Sequence, residues 1–86
     1  MNKSLGTISV LIKNRQANVD SLQKILTENG HFIRNRLGVN LEPTCLAHCL
    51  GFMVLVVEGN KKELESLNQQ ISELNGINSK LTIVTE

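Results

Sequence analysis

Leu50-Gly51-Phe52-Met53-Val54-Leu55-Val56-Val57-Glu58 is the stretch that decides the fold. From Phe52 to Val57 every residue is apolar, so both faces of an extended chain would be greasy. A run this short, rich in β-branched residues and stopped by Gly59-Asn60, reads as a strand with neighbours on both of its edges. It is the longest apolar run in the chain. A membrane-spanning helix needs about 20 such residues.

Downstream, Leu64, Leu67, Ile71 and Leu74 recur at helical spacing, with Lys61, Lys62, Glu63, Glu65 and Gln69 outside the stripe. Asn75-Gly76 closes that helix. Ile77 to Thr85 is a last strand, with Leu81 and Ile83 on its inner face. Upstream lies a loop around Pro43, the only proline. Before it, Phe32 to Leu41 alternates. Ile33, Leu37, Val39 and Leu41 fall on one side and Arg34, Arg36 and Asn40 on the other. Further back, Val19, Leu22, Ile25 and Leu26 form a helical stripe. Asn18 is expected as its N-cap, with Gly30 supplying a left-handed residue after the last turn. At the start, Leu5 to Lys13 alternates with period two. Ile8, Val10 and Ile12 lie on one face, and Thr7, Ser9, Leu11 and Lys13 on the other.

The order of elements is therefore βαββαβ. Right-handed crossovers turn that order into an α+β, ferredoxin-like sandwich, a four-stranded antiparallel sheet with two helices on one face. Strands one and three are central, which suits the apolar third strand. Both helices cover one side, so either Met53, Leu55 and Val57 or Phe52, Val54 and Val56 must face outward, with Leu11 adding to the surplus. An apolar strip of that size on a monomer marks an interaction surface. The expectation is a homo-oligomer, dimer or tetramer, that packs sheet faces or edges together.

Composition bounds the rest. The chain has 86 residues, 41% hydrophobic and 20% charged, as expected for one globular domain over residues 1–86. Nine Lys plus Arg against eight Asp plus Glu give a net charge of +1, which implies no polyelectrolyte partner. Met1 to Ser4 has no apolar stretch of signal-peptide length, so a cytoplasmic location is expected. Two Cys are too few for a disulfide framework.

The densest reactive cluster is Cys45, His48 and Cys49, at i, i+3 and i+4 after Pro43-Thr44. On one helical turn they would share a face, and thiolate with imidazole suits a transition metal such as zinc, copper or nickel. No fourth ligand lies near in sequence. His31, the only other His, belongs at the far end of the sheet. The plainer reading makes these Cys small hydrophobes at a loop–strand junction. Arg34 and Arg36, two apart on one strand face, could grip a carboxylate or phosphate with Arg15 and Lys13 nearby. The plainer reading there is a solvated strand with surface ion pairs.

RNA-recognition modules share the βαββαβ order and stack bases on aromatic rings of the third strand. Here Val54 and Val57 stand where those rings belong, and the chain has no Tyr or Trp. No helix-turn-helix, basic region or zinc finger is present for DNA, so no direct nucleic-acid contact is expected. No Gly-rich phosphate loop, carboxylate cluster or Ser-His-acid set is present, and the chain is not expected to be an enzyme.

Thr7-Ile8-Ser9-Val10-Leu11-Ile12, the break at Asn14-Arg15, the step Arg36-Leu37-Gly38-Val39, the strand Met53-Val54-Leu55-Val56-Val57 and Leu74-Asn75-Gly76-Ile77-Asn78-Ser79-Lys80 together resemble the ACT-like, iron-only hydrogenase system regulator family. The likeness runs from about Gly6 to Val84. It implies a stand-alone regulator that senses small ligands and gives no catalytic signature. The chain is also similar to the C-terminal domain of nickel-responsive repressors, which tetramerises and binds nickel through two second-strand His and a third-strand Cys. Gly38 and Asn40 occupy the two His positions, so the resemblance implies loss of that nickel site. Cys49, or else Cys45, matches its Cys. ACT domains commonly bind amino acids near the first strand–helix turn, here Asn14-Arg15-Gln16-Ala17-Asn18, which lacks the usual Asp, Pro and Gly. The resulting expectation is a non-enzymatic, ligand-sensing oligomer with Asn14, Arg15, Arg36 and Gly38 at the ligand. A metal- or thiol-responsive loop at Cys45, His48 and Cys49, or a purely structural module, is the alternative.

Overall fold

The structure is a computed structural model that describes residues 3–39, 41 and 49–85, without the side chains of 15–17. Its elements are β1 (Ser4–Ile12), α1 (Arg15–Glu28), a 3-10 turn (Gly30–Phe32), β2 (Ile33–Val39), β3 (Gly51–Gly59), α2 (Lys61–Ser72) and β4 (Ile77–Ile83). One antiparallel sheet holds all four strands in the order β2-β3-β1-β4, so the first and third strands are central, as expected.

Alternation decides which face each strand buries. Ile8, Val10 and Ile12 of β1 and Leu55 and Val57 of β3 point under the helices and are almost wholly buried. Leu22 and Leu26 of α1 and Leu64, Leu67 and Ile71 of α2 close that core from above. Leu81 and Ile83 pack against it from β4. The set Met53, Leu55, Val57 therefore faces the helices, and Phe52, Val54, Val56 faces outward.

Local chemistry fixes the helix ends. Asn60 and Glu63 make a capping box at the start of α2: Asn60 Oδ1 accepts from Lys62 N at 2.8 Å, and Glu63 Oε1 accepts from Asn60 N at 3.3 Å. After α2 the chain turns through Gly76, whose φ of +80° suits glycine. The carbonyl of Gly76 accepts from Lys13 N at 2.9 Å, tying the turn to the end of β1.

Three expectations at the α1–β2 side are corrected. The helix starts at Arg15 with Asn14 at the N-cap position, rather than capping on Asn18. Asn18 is instead one turn in, and its Nδ2 donates to Asn14 O at 3.0 Å. Gly30 does not adopt the left-handed conformation; it opens a 3-10 turn, and Asn29, at φ −111°, ends α1. Finally, β2 carries a bulge. Ile33 pairs with Val57 and Asn35 with Val56, so Arg34 is the extra residue. Ile33 thus joins the helix side, whereas Leu37 and Val39 lie on the opposite face, not on one side together with Ile33.

Candidate functional site

The bulge also separates the two arginines that strict alternation places together. Arg34 turns to Glu58, with Nη2 and Nε each 2.9 Å from Oε1. Arg36 pairs with Leu55 across the strands and so lies on the helix side. There its Nη1 donates to Gln23 Oε1 of α1 at 3.1 Å. The intervening Asn35 Oδ1 accepts from Arg36 N at 2.8 Å.

The hydrogen bond from Arg36 to Gln23 spans a cleft. The two helices lie over the core strands, and the inner face of the edge strand β2 has little above it, so that after Ile33 every β2 residue is exposed. Two cavities fill the space between α1 and β2, of about 360 Å³ and 350 Å³, and Gln23 borders both. The first lies toward Gly30 and contains Arg34 and Arg36 in its wall. The second is more apolar, walled by Val19, Leu22, Met53 and Phe52, with Gly38 on the strand side. Among the described residues, neither lining includes a carboxylate.

Of the residues expected at a ligand, Arg36 borders the first cavity and Gly38 the second, side by side along the groove between α1 and β2 with Gln23 at both. Asn14 and the backbone of Arg15 start α1 at the end of the groove where Ile12 borders the apolar cavity. The turn over 14–18, expected as a binding loop, is the first turn of that helix. Val19 and Leu22 read in sequence as part of the α1 apolar stripe and not as lining of a site, and Gln23 carries no signal at all. Their role depends on the β2 register, which the bulge sets and alternation does not reveal.

The open face of the sheet is a second surface. Cross-strand rows run Val39–Phe52–Leu11–Asn78, Leu37–Val54–Ser9–Lys80 and Asn35–Val56–Thr7–Thr82. The face is therefore apolar over β2 and β3 and polar along β4. Leu37 is 64% exposed and Val39 38% exposed.

Of the Cys45, His48, Cys49 cluster, Cys45 and His48 lie outside the described residues, as do Asn40 and Pro43. Cys49 is buried just before β3 and is disulfide-bonded. His31 sits in the 3-10 turn, and its ring centroid is 4.0 Å from that of Phe32. Ile33 pairs with Val57, whereas Cys49 precedes Gly51, so His31 and Cys49 stand at opposite ends of the sheet. Among the described residues no group of three His, Cys, Asp or Glu is gathered as a metal site would require. Among them, too, no helix is long and apolar enough to cross a membrane.

Comparison with known proteins gives a consistent fold. Among solved structures, protein TM1266 from Thermotoga maritima superposes with a TM-score of 0.85 at 13% sequence identity, covering 98% of this chain and all of that one. At that identity the likeness shows the fold alone. No curated protein matches the chain. A family model described as "TM1266-like: Iron-only hydrogenase system regulator, putative" matches residues 4–81. With nearly every strand and helix inside that match, the chain belongs to the TM1266-like iron-only hydrogenase system regulator family.

Proposed function

We propose that this chain is a non-enzymatic regulatory module that works as a homo-oligomer and senses a small ligand. The observation that carries the reading is the open sheet face, where Leu11, Leu37, Val39, Phe52, Val54 and Val56 make one apolar patch over β2, β3 and the end of β1. Each alternates with a residue that faces the core, so the patch is built into the strand pattern. Water against so much apolar surface is unfavourable, by roughly 25 cal/mol per Å². A second copy turned antiparallel would lay the same half-face against it, leaving the polar β4 edge at the rim. Membership of a regulator family supports a signalling role over a catalytic one.

A ligand held with different affinity by two assembly states would shift the balance between them. That gives so small a chain an output without chemistry of its own.

Sedimentation velocity tests the assembly. At micromolar concentration the wild type is expected to run as a dimer or tetramer. Val54→Lys, a change at the centre of the patch on an outward position, is expected to run as a monomer with unchanged circular dichroism. A monomeric wild type, or a variant that assembles unchanged, would refute the reading. The alternative response, through the loop of Cys45, His48 and Cys49, draws support from the disulfide at Cys49. Metal analysis of the protein with and without reductant tests it; the alternative predicts bound metal only once the thiols are free.

A further inference from the structure

We infer that the groove between α1 and β2 binds a small monocarboxylate with a compact apolar tail, the carboxylate on Arg36 and the tail over Gly38. This deepens the ligand-sensing reading above and rests on it for the biological consequence. Binding and assembly are read by separate measurements, because the groove opens on the helix side of the sheet and the apolar patch on the other, with Val39 and Phe52 bordering both.

Charge selects the head group. Arg34 is neutralised by Glu58 at 2.9 Å, but among the described residues Arg36 is answered by the neutral amide oxygen of Gln23 and by no carboxylate. Among the described residues no acid lines either cavity. A guanidinium binds a carboxylate through two parallel N–H···O bonds, each stronger than its bond to an amide. A ligand carboxylate would thus displace Gln23, the side chain that both cavities share. Among the described residues that line the groove, Arg36 is the one cation without a carboxylate partner, so the groove suits one negative charge; a phosphate's second charge would go unmatched.

Gly38 selects the tail. Its φ lies outside the left-handed region, and a Cβ built on it would meet nothing within 4 Å. Neither backbone conformation nor packing calls for glycine at this position. What its missing side chain does is keep open the apolar cavity between Met53 and Val19. At about 350 Å³ the space is near the lower end for small-molecule sites. That size fits a branched aliphatic group or a single ring.

Two variants probe the two halves separately. Gln23→Glu keeps the side-chain shape and presents Arg36 with an internal carboxylate. Gly38→Leu fills the apolar cavity. Titration of the labelled protein with phenylacetate and with 4-methylpentanoate, followed by amide NMR, is expected to give saturable shifts for at least one acid at Gln23, Arg36 and Gly38. Phenethylamine, acetate and inorganic phosphate are expected to give none. Each variant is expected to weaken the binding by about tenfold or more. The amide spectrum itself reports whether a variant is folded, and Gln23→Glu decides the matter if Gly38→Leu is not. The inference is overturned if neither acid saturates the wild type, if any of the three controls saturates at the same amides, or if the folded variants bind unchanged. Assembly read on the same samples keeps the two proposals apart: a monomer that binds the acid sinks only the oligomer, and an oligomer that ignores it sinks only the site.

Discussion

The half of the molecule built on α2 and β4 is closed where the half built on α1 and β2 is open. In α2 the three core-facing residues Leu64, Leu67 and Ile71 are wholly buried. A capping box holds its first turn, and Asn68 Oδ1 accepts from Ser79 Oγ of β4 at 2.8 Å. In α1 Leu22 and Leu26 are buried, but Val19 is 40% exposed above a cavity. Among the described residues its side-chain link to β2 is an exposed hydrogen bond that Arg36 Nη1 donates to Gln23 Oε1. Two βαβ units of the same plan have thus divided the work. One carries packing and the other leaves room, as expected when a small chain must be stable and still offer a site.

The largest test of that division is a pair of truncations. Leu67→Ala removes a fully buried side chain where α2 meets the sheet, and is expected to cost about 2–5 kcal/mol in urea unfolding. Val19→Ala trims a side chain that already borders empty space and is expected to cost less than about 1 kcal/mol. Equal losses would show that the α1 side is packed as firmly as the α2 side, and the division would fail.

The closed half was also the more legible in sequence. Leu64, Leu67 and Ile71 announce their helix by spacing, whereas the capping box of Asn60 and Glu63 emerges with the structure. The apolar run from Phe52 to Val57 gave the third strand a central place. The open half was legible only in outline. Arg34 and Arg36 alternate in sequence, yet the bulge between Ile33 and Asn35 sends them to different partners. A bulge is an extra residue without a signature residue type here, so period-two counting passes over it. Asn18 is a good capping residue by type, but Asn14 occupies the cap because the helix begins at once after β1. Gln23 carries no motif at all; its place follows from where α1 lies over an edge strand, a matter of tertiary packing.

The two glycines that lie within the strands, away from either end, sharpen the comparison further, because each lacks a side chain for a different reason. Gly6 sits in β1, hydrogen-bonded between β3 and β4, and pairs with Val57 and Ile83. A Cβ there would collide with the carbonyl oxygen of Thr82, a backbone atom that cannot swing away. Gly6→Ala is therefore expected to cost about 1–3 kcal/mol, the usual range for overpacking. Gly38, on the open half, has free space where its Cβ would stand and no left-handed φ to relieve. Alanine restricts the unfolded chain more than glycine does, and extended strand geometry accepts it. Gly38→Ala is accordingly expected to leave stability within about 0.5 kcal/mol of the wild type or to raise it slightly. Urea midpoints of the two single variants measure the contrast directly. A loss at Gly38 comparable to that at Gly6 would mean that the space beside β2 is filled in solution, and the groove on which the open half depends would not exist.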